Sequence, residues 1–379
     1  MKNTHLPTGW QEFKLKDIGF FLRGSGISKK DLSDTGTPAI RYGDIYTKYN
    51  FVIKDISSYT NSKGTEIKKG DILFTGSGET AEEIGKSVAF IDDYKALAGG
   101  DIIIFRPNID LNSIFLSYIL NFGKCRKDIS IMGQGHTVVH IYASSLEILK
   151  VILPPLDEQK RIAEVLSLCD DIIENLTELI EKKEQYKKGI MQRLLSGEVR
   201  FKGFTDEWKT VRLGDILSYE QPNNYIVKND EYNNKYECPV LTAGKTFILG
   251  YTNEKFGIYD KIPVIIFDDF TTETKYVNFP FKVKSSAIKI LSSNKCNLKL
   301  IYELIKMIKF NAESHKRYWI SEYQYLEIKI PTSIEEQKKI AGLLSVIDED
   351  IENLKKQLEL RKQQKKGLMQ RLLTGEVRI

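Results

Sequence analysis

The stretch KKGIMQRLLSGEVR at residues 187–200 recurs as KKGLMQRLLTGEVR at residues 365–378, with 12 of the 14 positions identical. The match extends back without a gap to EQKRIA at residues 158–163 and EQKKIA at residues 336–341, so the offset is 178 throughout. A repeat on this scale determines the architecture of a chain. The protein therefore contains two copies of one segment, at residues 158–200 and 336–378, which we call the frame.

A second, shorter repeat marks the starts of the two copies. The pattern W-x4-L-x-D-I occurs at residues 10–18 and at residues 208–216, which is an offset of 198. The chain thus consists of a start, a variable region and a shared segment, followed by the same three parts again. We predict a variable domain at residues 1–153, a long helix at 154–203, a second variable domain at 204–331 and a second long helix at 332–379.

Apolar residues recur along both shared segments at alternating spacings of three and four, which is the heptad pattern of a coiled coil. Each helix would run for about 39 residues, or roughly 58 Å. The seam residues predicted to pair the helices are Ile162, Leu166, Ile173, Leu176 and Ile180 in the first copy and Ile340, Leu344, Ile347, Ile351, Leu354 and Leu358 in the second.

Signals at the ends and inside the segments support these helices. Ser333 and Glu336 predict a capping box at the start of the second helix. Gly197 and Gly375 suit the residue that follows each helix. Gly189 and Gly367 lie inside the helices, where we expect either close packing or a slight kink.

The charge of each helix is divided between its two halves. Residues 162–181 carry six acidic and no basic residues, whereas residues 182–200 carry six basic and two acidic ones. The second helix repeats this polarity. Parallel pairing would set like charges side by side, so the pattern predicts antiparallel pairing. Such a pair has an approximate two-fold axis and places the two variable domains at opposite ends.

The two variable regions mix short strand-like runs with helical stretches, which predicts an α+β fold for each. The whole chain of 379 residues is 41% hydrophobic and 28% charged, which is typical of folded soluble proteins. Its apolar runs are far shorter than a membrane helix needs, and its start is polar, so we expect a cytoplasmic protein without a membrane partner. The four cysteines are scattered, which favours free buried thiols over disulfides or a zinc site.

Enzyme motifs are absent or incomplete. The residues before Gly85, Lys86 and Ser87 lack the first glycine of a phosphate-binding loop. Asp269, Glu273 and Lys275 resemble the trio of a metal-dependent nuclease, although surface charge on an edge strand is the simpler interpretation. His136 and His140 have the spacing of metal ligands only on a helix, and the glycines around them favour a loop, so we predict no metal site.

Polar, basic and aromatic residues in the variable regions are candidates for contact with nucleic acid, because Arg and Lys suit phosphates and guanine edges and Asn and Gln suit adenine edges. Each of them could instead be an ordinary solvated side chain. The candidates are Lys29, Lys30, Arg41, Tyr42, Gln134 and His136 in the first region, and Gln221, Asn223, Asn224, Tyr225, Lys245, Lys275, His315, Lys316, Arg317 and Tyr318 in the second.

The sequence resembles the specificity (S) subunit of type I restriction-modification enzymes. The resemblance rests on LPPLDEQKRIAEVL and IPTSIEEQKKIAGLL, on the shared helix ends QRLLSGEVR and QRLLTGEVR, on the two W-x4-L-x-D-I starts, and on VIIFDDFTTETKYVNFPFKV at residues 264–283. It covers essentially the whole chain. Two unlike domains separated by two like helices form an unusual plan, so the combination is specific.

The resemblance implies two target recognition domains, each reading one half of a split double-stranded DNA sequence, with the two antiparallel coiled-coil helices setting the gap. It implies that two methyltransferase (M) subunits dock on the helices and use S-adenosylmethionine. Restriction and translocation (R) subunits would use ATP and Mg²⁺. This chain would bind no cofactor and catalyse no reaction itself.

The resemblance gives the basic residues that interrupt the seams two interpretations. Lys183, Lys187, Arg361 and Lys365 either meet acidic residues of the opposite helix, which we favour, or face partner subunits or DNA. Two alternative functions also remain: a coiled-coil scaffold with two protein-binding heads, and a nuclease using Asp269, Glu273 and Lys275.

Overall fold

The computed structural model describes residues 6–135, 137–242, 246–312 and 316–379, which form two compact units. Unit 1 consists of Met1–Thr177 and Lys356–Ile379, and unit 2 is Glu178–Lys355. Each unit therefore combines one variable region with part of each shared helix. The mixed α and β character that we predicted is confirmed in both units.

Unit 1 is built on two five-stranded sheets, in the orders β2-β12-β8-β10-β5 and β3-β6-β4-β11-β7. The run of four apolar residues at 102–105 supplies the fully buried part of β12. The strands are β1 (Gln11–Lys14), β2 (Gly19–Arg23), β3 (Leu32–Ser33), β4 (Thr37–Ile40), β5 (Val52–Ile53), β6 (Tyr59–Thr60), β7 (Thr65–Ile67), β8 (Ile72–Thr75), β9 (Ser77–Gly78), β10 (Ser87–Phe90), β11 (Ala96–Ala98), β12 (Ile102–Pro107), β13 (Val139–His140) and β14 (Lys150–Leu153). The helices before the shared segment are α1 (Leu15–Ile18), α2 (Tyr42–Thr47), α3 (Ser113–Leu120), α4 (Gly123–Met132) and α5 (Ala143–Glu147).

Unit 2 has a four-stranded sheet in the order β16-β22-β19-β20 and a three-stranded sheet in the order β18-β17-β21. Its strands are β15 (Lys209–Arg212), β16 (Ser218–Glu220), β17 (Cys238–Leu241), β18 (Ile248–Thr252), β19 (Val264–Asp268), β20 (Thr274–Val277), β21 (Lys282–Val283), β22 (Ile288–Ser292) and β23 (Glu327–Ile330). Shared helix α6 (Leu156–Leu195) precedes this region, which contains α7 (Leu213–Ile216), α8 (Leu298–Met307) and α9 (Tyr318–Ser321), and shared helix α10 (Ile334–Leu372) follows it.

The repeated start of each copy forms the same small structure. In unit 1, β1 pairs antiparallel with β14, the strand that leads into α6. In unit 2, β15 pairs antiparallel with β23, the strand that leads into α10. Each W-x4-L-x-D-I start is therefore joined by a short ladder to the strand before a shared helix, which explains why the two repeats accompany each other.

The shared helices pack together through ion pairs within each unit, and the order of the pairs in unit 2 is antiparallel. In unit 1, Asp170 of α6 pairs with Lys365 of α10. In unit 2, Lys183 and Lys187 of α6 pair with Asp350 and Asp348 of α10. Three of the four basic residues in the seams thus meet acids of the opposite helix, as predicted. The fourth, Arg361, donates to Gln364 on its own helix. All the predicted seam residues are buried or half-buried.

A bidentate arginine clamp follows the end of each shared helix. Arg378 donates through Nε and Nη2 to the carboxylate of buried Glu158 in unit 1, and Arg200 donates in the same way to buried Glu336 in unit 2. The Nη2–Oε2 distance is 2.7 Å in both clamps. Both partners of one clamp lie 178 residues from those of the other. The duplication therefore repeats side-chain contacts as well as sequence.

The helix ends follow the predicted signals only in part. Gly197 and Gly375 adopt φ of 75° and 72°, as expected after a helix. Ser333 Oγ accepts from the Glu336 backbone at 3.3 Å, but the Glu336 carboxylate binds Arg200, so only half of the capping box forms. A Cβ atom at Gly189 or Gly367 would meet nothing within 4 Å, so close packing at these positions is excluded, and a slight kink stays a prediction.

Two further expectations concern membrane association and cysteine chemistry. No helix in the described part of the chain has the length and apolar character required to cross a membrane. All four cysteines are free; Cys125 and Cys296 are buried, while Cys169 and Cys238 are half-buried. Burial raises the pKa of the Cys125 thiol to about 11, so this side chain behaves as a small apolar group.

Candidate nucleic-acid interface

Two of the candidate segments in the first domain are anchored on the same short strand. Residues 134 and 140 form a β-bridge, and the strand that contains His140 pairs with β9. The His140 ring lies 3.0 Å from Ser77 Oγ. Tyr46 of α2 donates to the Ser77 carbonyl at 3.1 Å, so the helix that begins with Tyr42 rests on the same strand. The structure therefore brings Gln134 and the Arg41–Tyr42 pair to one region.

The other candidates of the first domain differ in exposure and in their contacts. Lys29 and Lys30 are exposed on a 3-10 turn, where Thr60 of β6 donates to the Asp31 carbonyl at 2.6 Å. Arg41 lies 3.5 Å from Asp44, whose carboxylate also accepts from the Arg41 backbone. Tyr42 is exposed. His136 lies outside the described residues.

A cavity of about 320 Å³ in the first domain contains two cations that sequence reasoning missed. Lys86 donates to the carbonyl of Tyr49 at 2.5 Å, and Arg126 donates to the carbonyl of Ile84. Burial lowers the pKa of both side chains. Neither forms an ion pair with a carboxylate of the described residues. Glu82 and Glu83 line the same cavity, so an anionic group such as a phosphate would meet two acidic side chains there as well as the two cations.

Four of the second-domain candidates belong to the segment from Gln221 to Tyr225, most of which is a 3-10 turn. Gln221 accepts from buried Lys289 at 3.0 Å. Tyr225 donates to Glu220 at 2.7 Å, and this hydrogen bond, with burial, raises the pKa of Tyr225 to about 12. The side chains of Asn223 and Asn224 are exposed. Gln221 and Tyr225 therefore fix the turn, while the two asparagines remain available to a ligand.

The other second-domain candidates differ in exposure. Lys275 is half-buried on β20, and Arg317 is exposed. Lys316 is exposed and forms an ion pair with Glu322. Tyr318 is only 1% exposed and packs edge-on against Phe310, so it has no surface with which to reach a base and we remove it from the interface. Lys245 and His315 lie outside the described residues.

The geometry argues against the nuclease trio. Asp269 is 1% exposed, lies 3.1 Å from the ammonium group of Lys289 and accepts from the Trp319 backbone at 2.9 Å. Glu273 is instead exposed to solvent. The carboxylate of Asp269 thus has a structural role inside the domain. Within the described residues, no group of three or more His, Cys, Asp or Glu side chains could hold a metal ion.

The sequence matches a known protein family over most of its length. A family model described as "Type I restriction modification DNA specificity domain" matches residues 7–185 and 205–362. The EcoR124I/EcoR124II specificity subunit of Escherichia coli is 45% identical over 191 residues, which is 46% of this chain and 47% of that relative. A putative specificity subunit, MjaX, of Methanocaldococcus jannaschii is 28% identical over 99% of this chain and 95% of its own.

Solved structures show the same fold. The S subunit of a type I restriction-modification system from M. genitalium has a TM-score of 0.70 at 17% identity, with 98% of this chain and 97% of that chain covered. A chain from a study of type I restriction-modification complex assembly has a TM-score of 0.52 at 16% identity, covering 98% of this chain and all of its own. At these identities the likeness concerns the fold alone.

Proposed function

The chain belongs to the family of type I restriction modification DNA specificity domains, and from that premise we propose that its two globular domains each read one half of a split double-stranded DNA sequence. As a specificity subunit it recognises DNA and is not itself an enzyme. The observation that carries the proposal is the duplication: two unlike domains are attached to two copies of one frame, down to equivalent clamps at Glu158 and Glu336.

The architecture we infer has two target recognition domains separated by an antiparallel coiled coil with pseudo-two-fold symmetry. The domain limits we propose are residues 1–153, 154–203, 204–331 and 332–379. The order of the two ion pairs in unit 2, Lys183 with Asp350 and Lys187 with Asp348, supports the antiparallel direction. A rod of two helices fixes the distance between its ends, so its length would determine the unspecified gap between the two half-sites.

The partners follow from the same role. Two methyltransferase subunits would dock on α6 and α10 and supply the S-adenosylmethionine site, and restriction and translocation subunits would contribute the ATP- and Mg²⁺-dependent steps. This chain would bind none of these cofactors. Such a division of labour agrees with the structural role of Asp269 and with the incomplete enzyme motifs of the sequence.

The DNA-contacting surface we propose combines exposed residues, half-buried Arg41 and Lys275, and the cavity cations. Lysine and arginine would neutralise phosphates, and the amides would read base edges. Gln221 and Tyr225 would contribute by holding their turn in place. The residues assigned to contact are Lys29, Lys30, Arg41, Tyr42, Lys86, Arg126 and Gln134 in the first domain and Asn223, Asn224, Lys275, Lys316 and Arg317 in the second.

The test is to co-express the chain with its methyltransferase subunit and to map methylated adenines across the host genome by single-molecule sequencing. We expect a split motif with two defined halves and a fixed gap. The methyltransferase subunit expressed alone is the control and should give no such motif. A stable complex that leaves the genome unmethylated would refute the proposal and favour a scaffold whose two heads bind protein.

A further inference from the structure

Phe256 is the most exposed large apolar residue in the described part of the chain, with 83% of its surface accessible. It lies in the loop between β18 and β19, which we call the 253–257 loop. Single exposed apolar side chains are common on protein surfaces and usually need no explanation. This one differs because the charged end of a buried lysine binds the backbone of the loop that carries it.

The buried charge belongs to Lys282, whose side chain is only 2% exposed. Its ammonium group donates to the carbonyl of Phe256 at 2.7 Å and to that of Gly257 at 3.2 Å. It also lies 3.0 Å from the carboxylate of Glu254. Burying a lysine is unfavourable unless every donor is satisfied. Here all three partners come from the 253–257 loop, so the lysine fixes the backbone that carries Phe256.

A second set of contacts fixes the near end of the same loop. Glu254 accepts from the backbone amides of Lys228 and Asn229 at 2.8 and 3.2 Å. Burial alone would raise the pKa of Glu254, but the hydrogen bonds from Lys282 and these amides outweigh it and hold the pKa below its usual value. The carboxylate therefore stays charged at neutral pH, and the contacts of Lys282 with the 253–257 loop, which we call the Lys282 brace, persist there.

The 253–257 loop packs against the turn that carries the exposed asparagines. Gly257 has φ of +60°, and a Cβ atom there would lie 2.3 Å from the Asn224 carbonyl oxygen, so only glycine permits this approach. Asn223 and Asn224 are exposed beside it, and Lys255 is exposed next to Phe256. The exposed side chains of Phe256, Lys255, Asn223 and Asn224 thus belong to two adjoining segments of the second domain.

We propose that Phe256 is a base-stacking wedge that inserts at or against a base step of the half-site read by the second domain. The inference rests on the proposed function and extends it to a specific residue. Apolar wedges unstack a base step at a cost in free energy, and a rigid backbone that is held in place lets the side chain resist being displaced. The Lys282 brace supplies that rigidity, Lys255 suits an adjacent phosphate, and Asn223 and Asn224 suit neighbouring base edges.

The experiment uses the full chain in complex with its methyltransferase subunits and a duplex carrying the split motif found in vivo. Phe256→Ala should weaken binding by roughly 5- to 150-fold, the range expected for loss of one stacked base. Phe256→Trp should retain binding within about threefold. The control is Tyr325→Ala, because Tyr325 is an aromatic residue of the same unit that is 57% exposed, and its affinity should stay within about twofold of the wild type.

A position-specific readout completes the test. The photoreactive analogue p-benzoylphenylalanine at position 256 should cross-link to a nucleotide within one of the two half-sites, and 2-aminopurine at that step should brighten in the wild-type complex and not in Phe256→Ala. Binding by Phe256→Ala within twofold of the wild type, or cross-links to polypeptide alone, would overturn the wedge while the split motif stands. Absence of a split motif with the wild-type chain would instead refute the proposed function and the wedge with it.

Discussion

The buried ion pair between Lys289 and Asp269 connects the core of the second domain to two of its surface segments. The two side chains are 0% and 1% exposed, and their charged atoms are 3.1 Å apart. Lys289 also donates to Gln221 before the asparagine turn, and Asp269 accepts from the Trp319 backbone in α9. We predict that Lys289→Met destabilises this domain strongly, because it leaves the Asp269 carboxylate buried without its counterion.

The expected magnitude is about 3 to 5 kcal/mol, the usual effect of removing one partner from a buried ion pair. Hydrogen exchange measured by mass spectrometry resolves the effect by region. At 1.4 kcal/mol per factor of ten, amides of β19 and β22 should exchange roughly a hundred- to several-thousand-fold faster. Amides of β2 and β12 belong to unit 1 and should not change.

Two further variants separate charge pairing from simple loss of packing. Asp269→Asn keeps an acceptor for Trp319, so the double variant Lys289→Met with Asp269→Asn should be destabilised by clearly less than the sum of the single effects. Lys261→Met is the matched surface control, since Lys261 is 70% exposed and lies 4.0 Å from Glu220, and it should change stability by less than about 1 kcal/mol. If Lys289→Met exchanged no faster than Lys261→Met, the assignment of the buried pair as a structural link would be wrong.

Two other predictions concern the shared helices. Burial alone would raise the pKa of Asp348 and lower that of Lys299, but their hydrogen bonds to each other and to Lys187 and Glu303 hold the Asp348 pKa below 3.8 and the Lys299 pKa above 10.5. The network therefore contributes its full stability to unit 2 between those pH values, and this contribution is lost as pH falls through the pKa of Asp348 in the folded protein. In urea melts the free energy of unfolding should fall at acid pH, and the fall should be smaller in Asp348→Asn. Separately, a fragment of residues 1–203 should form a dimer. The reason is that Lys187 is the repeat equivalent of Lys365 and can pair with Asp170 of a second copy. Light scattering that finds only monomers at tens of micromolar would count against antiparallel pairing.

The sequence predicted most of the frame because the frame is periodic and duplicated. Both long helices, and the acidic partners of three of the four lysine or arginine residues in the seams, followed from heptad spacing and charge polarity. Of the two alternatives for the glycines inside the helices, close packing was wrong, since spacing does not reveal that Gly189 and Gly367 face open space. Glu336 was assigned to a local capping box because Arg200, its actual partner, is 136 residues away.

The candidate site was harder to predict because burial decides availability. Tyr318 and Asp269 have residue types suited to DNA or metal contact, but both lie in the core. Lys86 and Arg126 are 40 residues apart in sequence and share a cavity only after folding. Phe256 gave no motif at all, since its significance comes from Lys282, which is 26 residues away.

The two domains satisfy the same frame with different chemistry, and this difference constrains how domains can be exchanged. Helices α3 and α8 dock alike: the backbone amides of their caps, Asn112 and Asn297, donate to Gln159 and Gln337, which are 178 residues apart. Six residues beyond each cap, the first domain presents Tyr118 to the Asp170 carboxylate of the frame.

The second domain presents Glu303 at the equivalent position, near Lys187 of the frame. This extra buried carboxylate is matched within α8 by Lys299 and Lys306, at 2.7 and 3.1 Å. The corresponding positions in the first domain are Ile114 of α3 and Asn121, the residue that follows α3, and neither could neutralise a glutamate. Each domain therefore carries its own charge complement on the helix that meets the frame. If a variable domain were moved to the other copy of the frame, it would keep its buried pairs only if its own helix moved with it, which is α3 for the first domain and α8 for the second.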